Sequence, residues 1–137
     1  MAKRMEVSDS PAPEAEIRTD FEAHDHAMGL PIAQVVEELS DLLGATMVAV
    51  IGGVQETRAV QQWIDGREPQ RAHTLRFALQ IATMLAKVSG REVARAWFTG
   101  GNPRLNDQAP MFLLRDQPLR EIQGPILNAA REFAKRI

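Results

Sequence analysis

The chain has 137 residues, no cysteine and three histidines, and its 16 basic and 18 acidic residues leave a net charge of −2. A length in the range of roughly 100–200 residues per domain means one compact unit, or two small ones sharing a core. The 45% hydrophobic and 25% charged content excludes a chain disordered throughout, the lack of cysteine excludes disulfides, thiolate metal sites and a cysteine nucleophile, and no apolar run approaches the ~20 residues that cross a bilayer.

The charge is unevenly spread. Residues 1–44 hold three basic and ten acidic residues, 45–86 four and three, and 87–137 nine and five. An acidic whole argues mildly against a nucleic-acid binder. The basic balance from residue 45 onward removes most of that objection. The start, Met1-Ala2-Lys3-Arg4-Met5-Glu6, has no apolar stretch behind its two positive charges. It is not expected to be a signal peptide, and a cytoplasmic location is the default expectation.

Residues 1–28 read as an acidic, largely disordered tail. Ser8-Asp9-Ser10-Pro11-Ala12-Pro13-Glu14 is polar and proline-bearing, with too little apolar surface to offset ordering entropy. His24-Asp25-His26 gathers metal-ligand types but lacks a third fixed partner, so it reads as solvated chain and no metal is expected.

Residues 29–88 read as a helical unit. Pro31 suits a first helical position, and Ile32, Val35, Val36, Leu39, Leu42 and Leu43 then recur at helical spacing. Gly44 is a stop. Thr46 is a plausible N-cap for a short helix, Met47 to Ile51, ended by Gly52-Gly53. A second short helix is expected from Glu56 to Ile64, closed by Gly66, with Pro69 beyond. A long helix from Arg71 to Val88 is apolar over a wide arc, which predicts a central position packed on both sides.

Residues 89–137 form the second unit. Ser89 with Glu92 reads as a capping box for a helix through Phe98. Gly100-Gly101-Asn102-Pro103 is a loop, a short helical piece covers Pro110 to Leu114, and the last helices run from Pro118 to Ile137 with a break near Gly124-Pro125. No stretch alternates long enough for a strand, and no repeat recurs at 20–50 residues. The fold class is all-α, with about seven helices.

The segment from Ala49 to Pro69 resembles a helix-turn-helix. Ala49 allows two short helices to approach closely, and Gly52-Gly53 makes the turn. At 100° per residue, Val60, Trp63 and Ile64 point inward. Arg58, Gln62 and Asp65 point the other way, with Gln61 at the edge. Arg and Gln suit the edges of guanine and adenine, and the start of such a helix enters the major groove. Thr57, Arg58, Gln61 and Gln62 are the candidate base-side residues, and Arg67 and Arg71 the phosphate contacts. Equally, these are ordinary solvated residues of an amphipathic helix.

A second pattern lies downstream. Trp97 ends a helix, Asn102-Pro103-Arg104-Leu105 follows as an Asn-Pro-x-Leu turn, and Pro110 begins a short helix carrying Leu113-Leu114. Asn102 can bond its own backbone and Pro103 pre-sets φ for a new helical start. Trp97 and Phe98 bring large apolar area, and with Phe112 and Leu113 they also read simply as core. In this order behind a helix-turn-helix, these residues resemble the toxin-binding domain of Xre/MbcA/ParS-type antitoxins, and the resemblance covers about residues 31–137.

The resemblance implies an Xre-like helical unit followed by a small toxin-binding helical unit. It implies a homodimeric type II antitoxin that blocks a RES-domain, NAD-consuming toxin largely with its C-terminal segment, and that represses its own promoter DNA. The terminal segment bears Arg131, Phe133, Lys135, Arg136 and Ile137, a basic and apolar set suited to a pocket that takes an anionic dinucleotide. A solvated last turn, its cations favouring the helix C-terminus, is the other reading. Deleting residues 129–137 is expected to abolish neutralisation and leave the helical fold. The alternative function is a stand-alone dimeric helix-turn-helix regulator without a toxin; a protein-binding module whose helix-turn-helix has lost DNA affinity is a third. No enzyme and no cofactor are expected. His24, His26 and His73 stand beside no nucleophile, and Gly52-Gly53 lacks the Gly-Lys-Ser/Thr of a phosphate loop.

Overall fold

The computed structural model describes residues 12–135, with side chains described from Asp20 onward. Eight α-helices follow one another: α1 (Ala12–Gly29), α2 (Ile32–Leu43), α3 (Ala45–Ile51), α4 (Thr57–Ile64), α5 (Ala72–Ser89), α6 (Arg91–Thr99), α7 (Pro110–Asp116) and α8 (Leu119–Lys135). A 3₁₀ turn, Pro103–Leu105, lies between α6 and α7. Among the described residues there is no strand, only an isolated bridge between Asn102 and Gln108. No helix among them is long and apolar enough to cross a membrane.

The protein is organised around α5. Leu75, Phe77, Ala78, Leu79, Ile81, Ala82, Met84 and Leu85 are all buried. They cover most of the helix circumference, so α5 receives α1, α2, α3, α6 and α8 on its several sides. The wide apolar arc of the sequence thus marks the helix with the most neighbours. The C-terminal helices pack back onto it, and α7 also packs on α3, so both expected units share one core.

The acidic N-terminal region departs from the expectation of disorder. Residues 12–29 form α1, which packs along α5. Its contact is made by Ala23 and Ala27, both fully buried and one helical turn apart. Alanines let the two backbones come close but leave a weak apolar periodicity. Polar ties complete the docking: His24 Nδ1 lies 3.2 Å from Gln80 Oε1, and His26 Nε2 lies 2.6 Å from Glu38 Oε1. The histidine pair therefore sits within a docked helix.

Three helix boundaries differ from expectation. Gly44, at φ +91°, is the N-cap of α3, and Thr46 lies inside that helix. Ser89 belongs to the end of α5, Gly90 is the N-cap of α6, and the Ser89 hydroxyl is buried without a partner among the described residues, so no capping box forms with Glu92. The final helix runs unbroken through Pro125. Pro125 is exposed, whereas Ile122, Ile126, Ala129 and Ala130 form a continuous buried stripe. The missing N–H and the carbonyl of Glu121 that it would have met fall on the solvent side, while the apolar seam holds the axis on both sides of the defect.

Three arginines act as internal caps. Arg76 Nη1 donates to the carbonyls of Ala27 (2.9 Å) and Leu30 (2.6 Å), at the end of α1. Arg95 Nε donates to Leu42 at the end of α2 (2.8 Å), and Arg71 Nη1 to Leu114 near the end of α7 (2.9 Å). Helix C-termini leave carbonyls unpaired and favour positive charge, so each arginine answers both needs. These cations are directed into the fold, and the basic balance from residue 45 onward overstates the basic surface.

Candidate functional site

The first candidate surface is the polar face of α4. The pair α3–α4 is built by two glycine-ended helices. After α3, Gly53 adopts φ +81° and the N–H of Val54 reaches the carbonyl of Ala49 at 2.9 Å. After α4, Gly66 adopts φ +122° and the N–H of Arg67 reaches the carbonyl of Gln62 at 2.9 Å. Both are Schellman endings with a left-handed residue at C′, where glycine carries no Cβ penalty. Between them the chain turns so tightly that a Cβ on Gly52 would lie 2.6 Å from the Trp63 ring. Val60 and Trp63 are buried and hold α4 to the core.

That anchoring leaves Thr57, Arg58 and Gln61 exposed and Gln62 half-buried. Each long polar side chain meets a neighbour on the same face. Arg58 Nη2 lies 3.2 Å from Glu56 Oε1, Gln61 Nε2 donates to Asp65 Oδ1 at 3.0 Å, and Arg67 Nη1 donates to Gln62 Oε1 at 3.0 Å. Exposed pairs of this kind are worth about 1 kcal/mol or less, so a stronger partner can displace them. The stretch from residue 56 to 68 carries two basic and three acidic residues; it is a mixed face, not a basic one.

Arg71 is placed elsewhere. It is half-buried at the start of α5, packs against the Gly53 backbone and bonds the carbonyl of Leu114. Its reach across the turn to α7 spends the guanidinium that the sequence reading assigns to phosphate. Asp116 is nearby. Its carboxyl is held below the ordinary carboxylate range, first by the hydrogen bond from Arg115, with smaller help from the charges of Arg115 and Arg71 against a modest desolvation. Arg115 also stacks 4.7 Å over the ring of the exposed Phe112.

The second candidate surface is the end of α8. Arg131 Nε meets Asp20 Oδ2 at 2.5 Å, tying α8 to α1. Lys135 lies 3.7 Å from Glu132, whose other oxygen is 3.3 Å from Arg104 next to the 3₁₀ turn. Phe133 is half-buried against the core. Arg136 and Ile137 lie outside the described residues. Ala129 and Ala130 are buried, so deleting residues 129–137 also removes part of the core. The sequence reading missed Asp20, Arg104 and Glu132, the partners that organise this end. Asp20 is 111 residues from Arg131, and no local pattern joins them.

The Trp97 to Leu114 segment forms one packed unit. Trp97 and Phe98 are buried in an edge-to-face pair with centroids 5.4 Å apart. Asn102 Oδ1 accepts the N–H of Arg104 at 2.9 Å, and Pro103 opens the 3₁₀ turn. Leu105, Pro110, Leu113 and Leu114 are buried. Among the described residues no three or more histidine, aspartate or glutamate side chains are grouped to hold a metal ion. Comparison with protein-family models, curated proteins and solved structures returned no match.

Proposed function

We propose that the chain is the antitoxin of a type II toxin–antitoxin system. It neutralises a RES-type, NAD-consuming toxin by direct binding and represses its own promoter from the cytoplasm. The observation that carries this reading is the ordered set Trp97, Asn102, Pro103, Leu105, Pro110, Leu113 and Leu114 behind the tight α3–α4 pair. The set resembles the toxin-binding domain of Xre/MbcA/ParS-type antitoxins, and five of its members, Trp97, Leu105, Pro110, Leu113 and Leu114, are buried. On this reading Thr57, Arg58, Gln61 and Gln62 face base edges and Arg67 phosphate, with Arg71 reserved for the fold. Phe133, Lys135, Arg136 and Ile137 meet the toxin, joined by Arg131 if it leaves Asp20. A single α4 spans few base pairs, so the reading calls for a homodimer on two half-sites.

Co-expression with the adjacent reading frame tests it. The expected outcome is a neighbour that arrests growth alone, and growth restored by this chain in a stable complex. A harmless neighbour that does not co-purify overturns the antitoxin reading and leaves the stand-alone regulator. A third reading, a protein-binding module without DNA affinity, is favoured by Glu56 and Asp65 flanking the α4 face. A gel shift with the upstream DNA decides between them: retardation sustains repression, and none at low salt sustains the protein-binding module.

A further inference from the structure

The face of α5 that α1 covers is its polar one. Arg76, Gln80, Thr83 and Lys87 recur at helical spacing in a single stripe, flanked by the buried Leu79 and Met84. Such a stripe ordinarily faces water. Here it meets α1, which runs antiparallel to α5. Lys87 Nζ lies 3.9 Å from Glu22 Oε1, His24 Nδ1 lies 3.2 Å from Gln80 Oε1, and Arg76 Nη1 donates to the carbonyls of Ala27 and Leu30. Arg131 of α8 meets the same helix at Asp20. Residues 12–29 carry five acidic residues and one arginine, so an acidic helix engages three cations.

The docking of α1 rests on little apolar surface. Ala23 and Ala27 are its only buried residues among those described, whereas α8 buries Ile122 and Ile126. The contacts of Glu22 with Lys87, His26 with Glu38 and Asp20 with Arg131 lie at the surface, where such pairs contribute little. An open recess of about 350 Å³, lined by His26, Glu38, Asp41, Leu42, Thr83 and Lys87, leaves the junction of α1 with α2 and α5 incompletely filled. The hinge is defined as well. Between Gly29, the end of α1, and Ile32, the start of α2, lie only Leu30 and Pro31, and Pro31 is extended at φ −58° and ψ 147°.

We propose that α1 is an autoinhibitory strap. It undocks as a unit about Leu30 and Pro31 while α2 to α8 stay folded. Undocking offers Arg76, Lys87 and Arg131 to an acidic segment of a partner protein, which takes the place of α1. The strap rests on the fold alone and does not depend on the antitoxin reading.

Amide hydrogen exchange on the full-length protein is the first test. Amides from residue 22 to 29 are expected to exchange on the order of 100-fold faster than those at the centre of α5, yet slower than in an isolated peptide of residues 12–30. Equal protection of α1 and α5 overturns the strap, and so does an α1 as unprotected as the free peptide. Ala23→Gln with Ala27→Gln places two uncharged helix formers in the close seam. This double variant is expected to lose the protection of α1 and to keep that of α5 within about threefold. Loss of protection in α5 overturns independent opening. The fluorescein-labelled peptide of residues 12–30 then probes the uncovered stripe. It is expected to bind the double variant saturably, at least about tenfold more tightly than the parent, and to weaken as salt is raised. Equal binding to parent and variant overturns autoinhibition. No binding to the variant, or undiminished binding of a peptide carrying Asp20→Asn and Glu22→Gln, overturns the cationic site.

Discussion

The helices α4 and α8 carry the two proposed interfaces, and the fold treats them differently. The shorter, α4, is anchored by Val60 and Trp63 and turns Thr57, Arg58 and Gln61 outward, where they meet only exposed neighbours. The longer, α8, buries Ile122, Ile126, Ala129 and Ala130. Two cations in its last turns are matched to acids, Arg131 across the fold to Asp20 and Lys135 to Glu132. A cation near a helix end becomes an interface residue only if tertiary structure leaves it without a better partner.

The strongest way to break this contrast is Ile126→Ala. It removes a fully buried side chain from the α8 seam and is expected to cost about 2–5 kcal/mol in denaturant unfolding. A loss below about 1 kcal/mol would mean that α8 is not docked as described. Gly52→Ala attacks the anchor of α4. The added methyl meets the Trp63 ring at 2.6 Å, and an overpacking loss of about 1–3 kcal/mol should appear in thermal unfolding.

Arg58→Ala sharpens the functional side of the comparison. It should cost roughly 1–3 kcal/mol at the operator if the side chain reads a base and leave thermal stability nearly unchanged, since its partner Glu56 is exposed. Arg67→Ala should instead weaken binding to all sequences alike and flatten the salt slope. Equal operator affinity for Arg58→Ala and the parent removes base reading from α4. Arg131→Ala is expected to cost about 1 kcal/mol or less. The same change speeds amide exchange in α1 if the Asp20 pair is what pins that helix.

The smallest effect is electrostatic. The folded Asp116 carboxyl lies below its ordinary value, so its contribution is complete at neutral pH and disappears as pH falls through the folded value. An NMR titration should find this carboxyl low in the parent and closer to ordinary in Arg115→Ala. Coincident titrations in the two proteins would break the assignment to Arg115.

Much of the fold was legible in apolar periodicity. The all-α class, the wide apolar arc of α5, and the glycine-ended pair α3–α4 follow from local patterns, because a helix seam and a left-handed C′ residue are local requirements. The α1 helix was not legible, because its seam is Ala23 and Ala27, small residues whose value lies in close approach to α5. The continuity of α8 through Pro125 was not legible either, since a proline reads as a break until its ring is seen to face solvent.

Side-chain availability belongs to the same class. Apart from α1 and the joining of α8 across Pro125, the sequence by itself determined which segments are helical and which of their faces are polar. Only the tertiary structure decided that Arg71, Arg76 and Arg95 cap other helices from within and that Arg131 is matched to Asp20. The reason is physical: helix formation and polarity depend on residues three or four positions apart, whereas a charged group takes its strongest partner wherever the chain brings one within reach.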